Sequence, residues 1–243
     1  MNDFRRAFGQ GAYAAPAGTM DASVDQGLRS YMLGVYNYMA LAVALTGGVA
    51  FFVSQSPALL QALFSGPQAY VVMFAPLAFI LVLSFGVNRL SAVATQALFW
   101  TFAAVMGLSL STIFIAYASA DITRVFFITS AMFAGLSLWG YTTKRDLTGM
   151  GSFLFMGLIG LIIASIVNIF LGSTMLEFVI SAVGVLVFAG LTAYDTQKIK
   201  ENYYVAQQSA EMMKKVSVMG ALSLYLDFVN LFLMLLRLLS SRD

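Results

Sequence analysis

From Ser30 to Asn88 the chain carries no Asp, Glu, Lys or Arg. A stretch that long without an ionisable side chain cannot form a water-soluble domain, which needs charges of both signs on its surface. It can cross a bilayer, whose hydrocarbon core is about 30 Å thick and takes about 20 apolar residues per helical pass. Further charge-free stretches run between Arg89 and Asp121, between Asp146 and Glu177, and between Glu177 and Asp195. Of the 243 residues 60% are hydrophobic and 10% charged, against roughly 45–50% and about 25% in ordinary soluble domains. The pattern predicts an all-α fold, a polytopic membrane protein.

The same composition excludes much chemistry. The chain has no His and no Cys, which removes imidazole acid–base catalysis, the usual zinc and haem sites, disulfides and thiol chemistry. The net charge of +2 is too small for a nucleic-acid partner. An enzyme is not expected. A rhomboid-type protease needs a Ser–His pair, and a retinal protein needs a Lys in its last helix, where residues 218–239 have none. A paired-aspartate intramembrane protease is the enzyme alternative that remains, but no Gly-x-Gly-Asp string marks the helix of the second aspartate.

Hydropathy predicts seven spans, over about 31–53, 70–87, 94–117, 125–141, 150–171, 178–196 and 218–239. Residues 1–30 read as a flexible cytoplasmic tail with no apolar core of a signal peptide, residues 31–239 as one seven-helix membrane domain, and residues 240–243 as a short C-terminal end. The polar segment 198–216, with its QQSAEMMKK string, reads as a solvated loop. Ten of the 13 basic residues fall on one side of this topology: Arg5, Arg6, Arg29, Arg89, Lys144, Arg145, Lys198, Lys200, Lys214 and Lys215. The positive-inside rule makes that side cytoplasmic and sends the C-terminus to the other. Small-xxx-small spacings mark expected close helix contacts at Ala103-Gly107-Ser111, Ala131-Gly135, Gly160-Ala164 and Ala189-Ala193.

Three charges are not accounted for by topology. Asp227 lies about ten residues into the last span, where a carboxylate costs on the order of 2.5–3.5 kcal/mol; Ser223 and Asn230 share its face. Asp195 sits at the cytoplasmic end of the sixth span in GLTAYDTQKIK, and Arg89 at that end of the second. Separately they read as a protonated interhelical contact, a headgroup-level carboxylate near Lys198 or Lys200, and a topogenic arginine. Together they form a candidate site of two acids and one guanidinium. Two carboxyls in one dry pocket cannot both ionise cheaply and titrate as a unit; ionised, they offer hard oxygens to calcium. By the helical rise, Asp227 is about 10 Å deeper than Asp195, a gap that tilt or a deeper sixth helix would have to close.

The strings ALSLYLDFVNLFLMLLRLL, AGLTAYDTQKIKENY and YTTKRDLTGMGSFLFMGLIGLIIASIVNIFL resemble the signature stretches of the Bax inhibitor family, bacterial branch, over about residues 31–237. The resemblance implies a seven-helix bundle with the last helix central, in a bacterial inner membrane. It implies a pH-sensing, ion-binding aspartate pair, Asp195 and Asp227, that regulates a calcium leak, with Arg89 as the latch of the closed form. It places Arg237 at the family's arginine near the end of the last helix, yet the glutamate that pairs with it in some bacterial relatives has no counterpart here, where Ala78 stands. The function implied is a pH-sensitive calcium-permeable leak channel, with protons and calcium as its ions and no other cofactor. The alternative is a membrane-embedded stress-response regulator that binds another membrane protein such as an AAA protease.

Overall fold

The computed structural model describes the backbone of residues 17–207 and 209–240, and side chains from residue 26 within those ranges. Among the described residues the chain is all helix: α1 (Ala17–Ser54), α2 (Pro57–Phe64), α3 (Gln68–Gly86), α4 (Ala92–Leu110), α5 (Ile113–Ala116), α6 (Ser119–Thr142), α7 (Thr148–Leu171), α8 (Thr174–Ala206) and α9 (Ala210–Leu239). Seven stretches are long and apolar enough to span a membrane. Short polar residues set the boundaries. Ser56, Ser91, Ser173 and Ser209 each stand as N-cap, the side-chain oxygen accepting an N–H from the first turn of α2, α4, α8 and α9. Pro57 occupies the first turn of α2, where its missing N–H costs nothing. Gly172 ends α7 at φ 59°, a left-handed conformation that favours glycine.

α9 is the axis of the bundle. In its most apolar stretch 61% of residues are buried, against 11% in α3 and α7. It packs against α8, α1, α6 and α4, while α3 leans on α4 and α7 on α8. Tyr225 of α9 is fully buried between Phe99 and Phe102 of α4, both edge-on to its ring at 6.5 and 5.3 Å. Its hydroxyl donates to Thr46 of α1 across 2.7 Å, and Thr46 donates to the Ala103 carbonyl of α4 across 2.8 Å. With no water in hydrocarbon, such a chain satisfies every polar atom it buries and ties three helices together.

The seven spans and the central last helix agree with the sequence expectation, with differences of physical origin. Residues 17–30 form the first turns of α1 rather than a tail; the rest of the expected tail, residues 1–16, lies outside the described residues. The expected loop 198–216 is helix up to Ala206 and again from Ala210. Lys198, Glu201, Glu211 and Lys214 are exposed, and two ion pairs run along the helices, Lys215 with Glu211 at 3.3 Å and Lys198 with Glu201 at 4.0 Å. Ile199, Tyr203 and Ala206 bury a helical stripe beneath them, with Tyr203 packed on Tyr31 at 5.3 Å. The small-residue spacings divide. A Cβ on Gly107 would come within 2.7 Å of the Thr46 carbonyl oxygen, and Ala193 lies against Gly140, but nothing approaches Gly135 or Gly160 within 4 Å. Those two glycines are therefore not the close contacts they were expected to be.

Where α6 leaves the membrane, the chain is held by Asp146, whose Oδ1 accepts the Thr148 N–H at 2.8 Å. Hydrogen bonding from the Thr148 side chain and then its backbone holds this carboxyl below the ordinary carboxylate range. A lowered value means the native state binds its proton less readily than the unfolded chain. The stabilisation is present above the ordinary carboxylate pKa and lost as pH falls through the lowered one. Asp146→Asn should therefore unfold more readily than the wild type at pH 7, with the difference shrinking towards pH 3, as a thermal unfolding series would read.

Candidate functional site

Asp195 and Asp227 meet. Their carboxyl groups interact side chain to side chain between α8 and α9. Asp195 is half-buried; Asp227 is 4% exposed, and its Oδ2 is buried without a hydrogen-bond partner. Two ionised carboxylates present only acceptors, so a bond between them requires one proton shared by the pair.

The difference in depth is closed by two features. Asp195 does not end its helix, since α8 runs on to Ala206. The register of the antiparallel pair is set where Gly220 lies against Ile199 and Gly184 against Met234. That register puts Asp195 level with Ser223 and Leu224, about one turn from Asp227. Helical side chains tilt towards the N-terminus of their own helix. In an antiparallel pair the tilts oppose, so Asp195 leans inward, Asp227 leans outward, and the carboxyls converge across the offset.

A cavity of about 360 Å³ opens beside Asp195. Asn88 from the turn after α3, Lys198 and Asn202 from α8, and Lys215 and Ser223 from α9 line it with Asp195. Neither lysine is within ion-pairing distance of Asp195, each being turned to a glutamate of its own helix. Beyond Asp227 the bundle closes: Leu231, Leu235 and Leu236 pack with Val187, Phe188 and Leu191 in a dry apolar cluster. The carboxyl pair thus lies where a vestibule of mixed polar and apolar lining gives way to a sealed core.

The other expected site residues fall outside the pair. Arg89 is exposed in the turn after α3 and, among the described residues, makes no ion pair with either aspartate; its neighbours Val87 and Asn88 line the vestibule instead. The expected latch is not engaged in this structure. Asn230 donates to the Leu226 carbonyl of its own helix at 2.8 Å, so it does not support Asp227. Ser223 does belong to the site, as part of the vestibule wall. Arg237 is exposed in the last turn of α9, far from the aspartates. Lys200 is bound to the Tyr141 carbonyl at 3.0 Å rather than to Asp195. Asn88, Asn202 and Lys215 carried no signal in the sequence, because their approach depends on the helical form of the segment read as a loop. No group of three or more acids gathers among the described residues. Calcium prefers six to eight oxygens, and the two carboxyls supply four.

The chain matches the family model described as "Inhibitor of apoptosis-promoting Bax1" over residues 28–243. It is 50% identical over 218 residues to the uncharacterized protein RP147 of Rickettsia prowazekii, covering 90% of this chain and 92% of that protein. It is 46% identical over 245 residues to an uncharacterized protein of Caulobacter vibrioides, covering 97% of each. To the inner membrane protein YbhL of Escherichia coli it is 46% identical over 218 residues, covering 89% of this chain and 93% of the relative.

Proposed function

This chain belongs to the Bax inhibitor family, and from that premise we propose that it is a pH-sensitive calcium-permeable leak channel whose gate is the Asp195–Asp227 carboxyl pair. The observation that carries the reading is the pair itself, with Asp195 in the wall of a vestibule and a sealed apolar core beyond Asp227. With a proton shared, the two carboxyls hold α8 and α9 together. Without it they repel across a dry gap, and the helices separate at the point where the vestibule ends. Lys198 and Lys215 line the vestibule, each paired with a glutamate of its own helix, so the unpaired charge that a calcium ion meets there is that of the carboxyl pair. Arg89 is one turn of chain from the mouth and engages the pair as a latch in a second conformer.

The asymmetry of basic residues supports a cytoplasmic vestibule and N-terminus, with the C-terminus opposite. The likeness to YbhL supports an inner-membrane location. Calcium flux in proteoliposomes across a pH series tests the function. Wild-type protein is expected to leak calcium in a pH-dependent manner. Asp195→Asn and Asp227→Asn are expected to lose that dependence, and an unchanged response in both variants refutes the gate.

A second reading has its own observation in the helical hairpin formed by the ends of α8 and α9, which presents Lys198, Glu201, Glu211 and Lys214 outward. It suits a regulator docked to another membrane protein, such as an AAA protease, in a stress response. A pull-down with charge-reversed hairpin residues separates the readings: lost capture with normal flux favours the regulator.

A further inference from the structure

A groove of about 590 Å³ runs along the membrane-facing side of the bundle between α1 and α6. The two helices leave a gap at whose floor lies Phe228 of α9, and Phe126 and Phe133 of α6 stack edge-on to it at 5.7 and 5.5 Å. On α1 the groove extends from Arg29 to Val43, about 21 Å at the rise of a helix. That covers one leaflet of a hydrocarbon core about 30 Å thick. Its volume falls in the roughly 300–1,000 Å³ range of sites that enclose a small ligand.

The ends of the groove differ. The membrane-centre end is apolar apart from Ser130, whose hydroxyl donates to the Phe126 carbonyl of its own helix. The outer end holds Arg29, exposed and without an ion pair among the described residues, beside Tyr141. The Lys200 ammonium lies 5.0 Å over the Tyr141 ring, and Lys144 and Arg145 follow Tyr141 in the chain. Among the described residues no acid lines the groove; nearby Asp146 is turned to Thr148. An apolar slot of one leaflet's depth, capped at headgroup level by cations, complements one chemistry.

We propose that this groove binds an anionic phospholipid of the leaflet on the basic side, one acyl chain lying between α1 and α6 over Phe228 and the headgroup phosphate on Arg29. Arg29 offers a planar fork of N–H donors suited to phosphate. The excess of positive charge around it selects a headgroup with net negative charge over a zwitterionic one. Because Phe228 follows Asp227 directly in α9, the lipid would rest on the same turn of helix that carries the buried carboxyl.

Native mass spectrometry of the full chain, released from mild detergent after addition of dioleoylphosphatidylglycerol or dioleoylphosphatidylcholine at equal concentrations, tests this. Wild-type protein is expected to retain the anionic lipid over the zwitterionic one, and Arg29→Gln to retain the anionic lipid about fivefold less. Arg29→Lys should keep most of the preference. Ala134→Phe and Ala40→Phe place a ring in the groove from exposed positions, so the bundle stays folded, and each should lose one bound lipid of either headgroup. Retention unchanged in Arg29→Gln and in both groove-filling variants overturns the proposal. So does a fall in dimer fraction with constant lipid count, which makes the groove an interface between copies of this chain.

Discussion

Gly140→Ala is expected to destabilise the bundle by about 1–2 kcal/mol, whereas Gly135→Ala, five residues away on the same helix, should be neutral or stabilising by up to about 1 kcal/mol. A methyl group on Gly140 would run into the Ala193 carbonyl oxygen and lie 2.9 Å from that residue's Cα and carbonyl carbon. These are backbone atoms of α8, so no rotamer change relieves the clash, and α6 must move away from α8. Overpacking of this kind costs typically about 1–3 kcal/mol, offset in part by the roughly 0.5–1 kcal/mol that alanine gains over glycine in a helix. Gly135 has nothing within 4 Å of a built Cβ, so only the gain remains. Equilibrium unfolding in mixed detergent micelles reads both. Equal effects at the two positions would mean that α6 and α8 do not approach as closely as described.

The second large effect concerns the aspartate pair. Asp195→Asn and Asp227→Asn should each flatten the pH response of calcium flux, and the double variant should do no more than either single one. A gate that takes up one proton can shift its open–closed equilibrium by at most about tenfold per pH unit, and that is the dependence expected of the wild type near its midpoint. An asparagine in either position leaves one carboxyl facing a neutral amide, with no like charge to repel. The contact no longer depends on the proton that bridged it. Residues that act as one unit are non-additive, and a double-mutant cycle reads the deviation directly. Additive losses would show two independent carboxyls and remove the pair from the gate.

Much of this fold was legible in the residues because the strongest signal, missing charge, is also the strongest physical constraint on a membrane chain. The interval from Ser30 to Asn88 could only be two passes. The hairpin of α8 and α9 was not legible. Glu201, Glu211, Lys214 and Lys215 have the composition of a loop, and the stripe of Ile199, Tyr203 and Ala206 that makes it helix is short and interrupted by polar neighbours. Gly135 and Gly140 also could not be told apart, since both are small residues on one helix and only the position of α8 distinguishes them. The aspartates could be singled out by their cost in hydrocarbon. Their contact could not, because it follows from the inter-helix register and from opposed side-chain tilts.

The extension of α8 has a mechanical meaning. Its 33 residues make a rod of about 50 Å, longer than the roughly 30 Å of hydrocarbon it crosses. The surplus stands beyond the membrane, joined to α9 by a turn too short to act as a slack tether. The hairpin is thus a stiff arm, and the carboxyl pair sits close to its fulcrum. Rotating the arm would strain the same contact that, in the proposed gate, a proton strengthens. If the pair is the proposed gate, torque on the tip and acidity at the root would be two inputs to a single hinge, and each would change the amount of the other needed to move it.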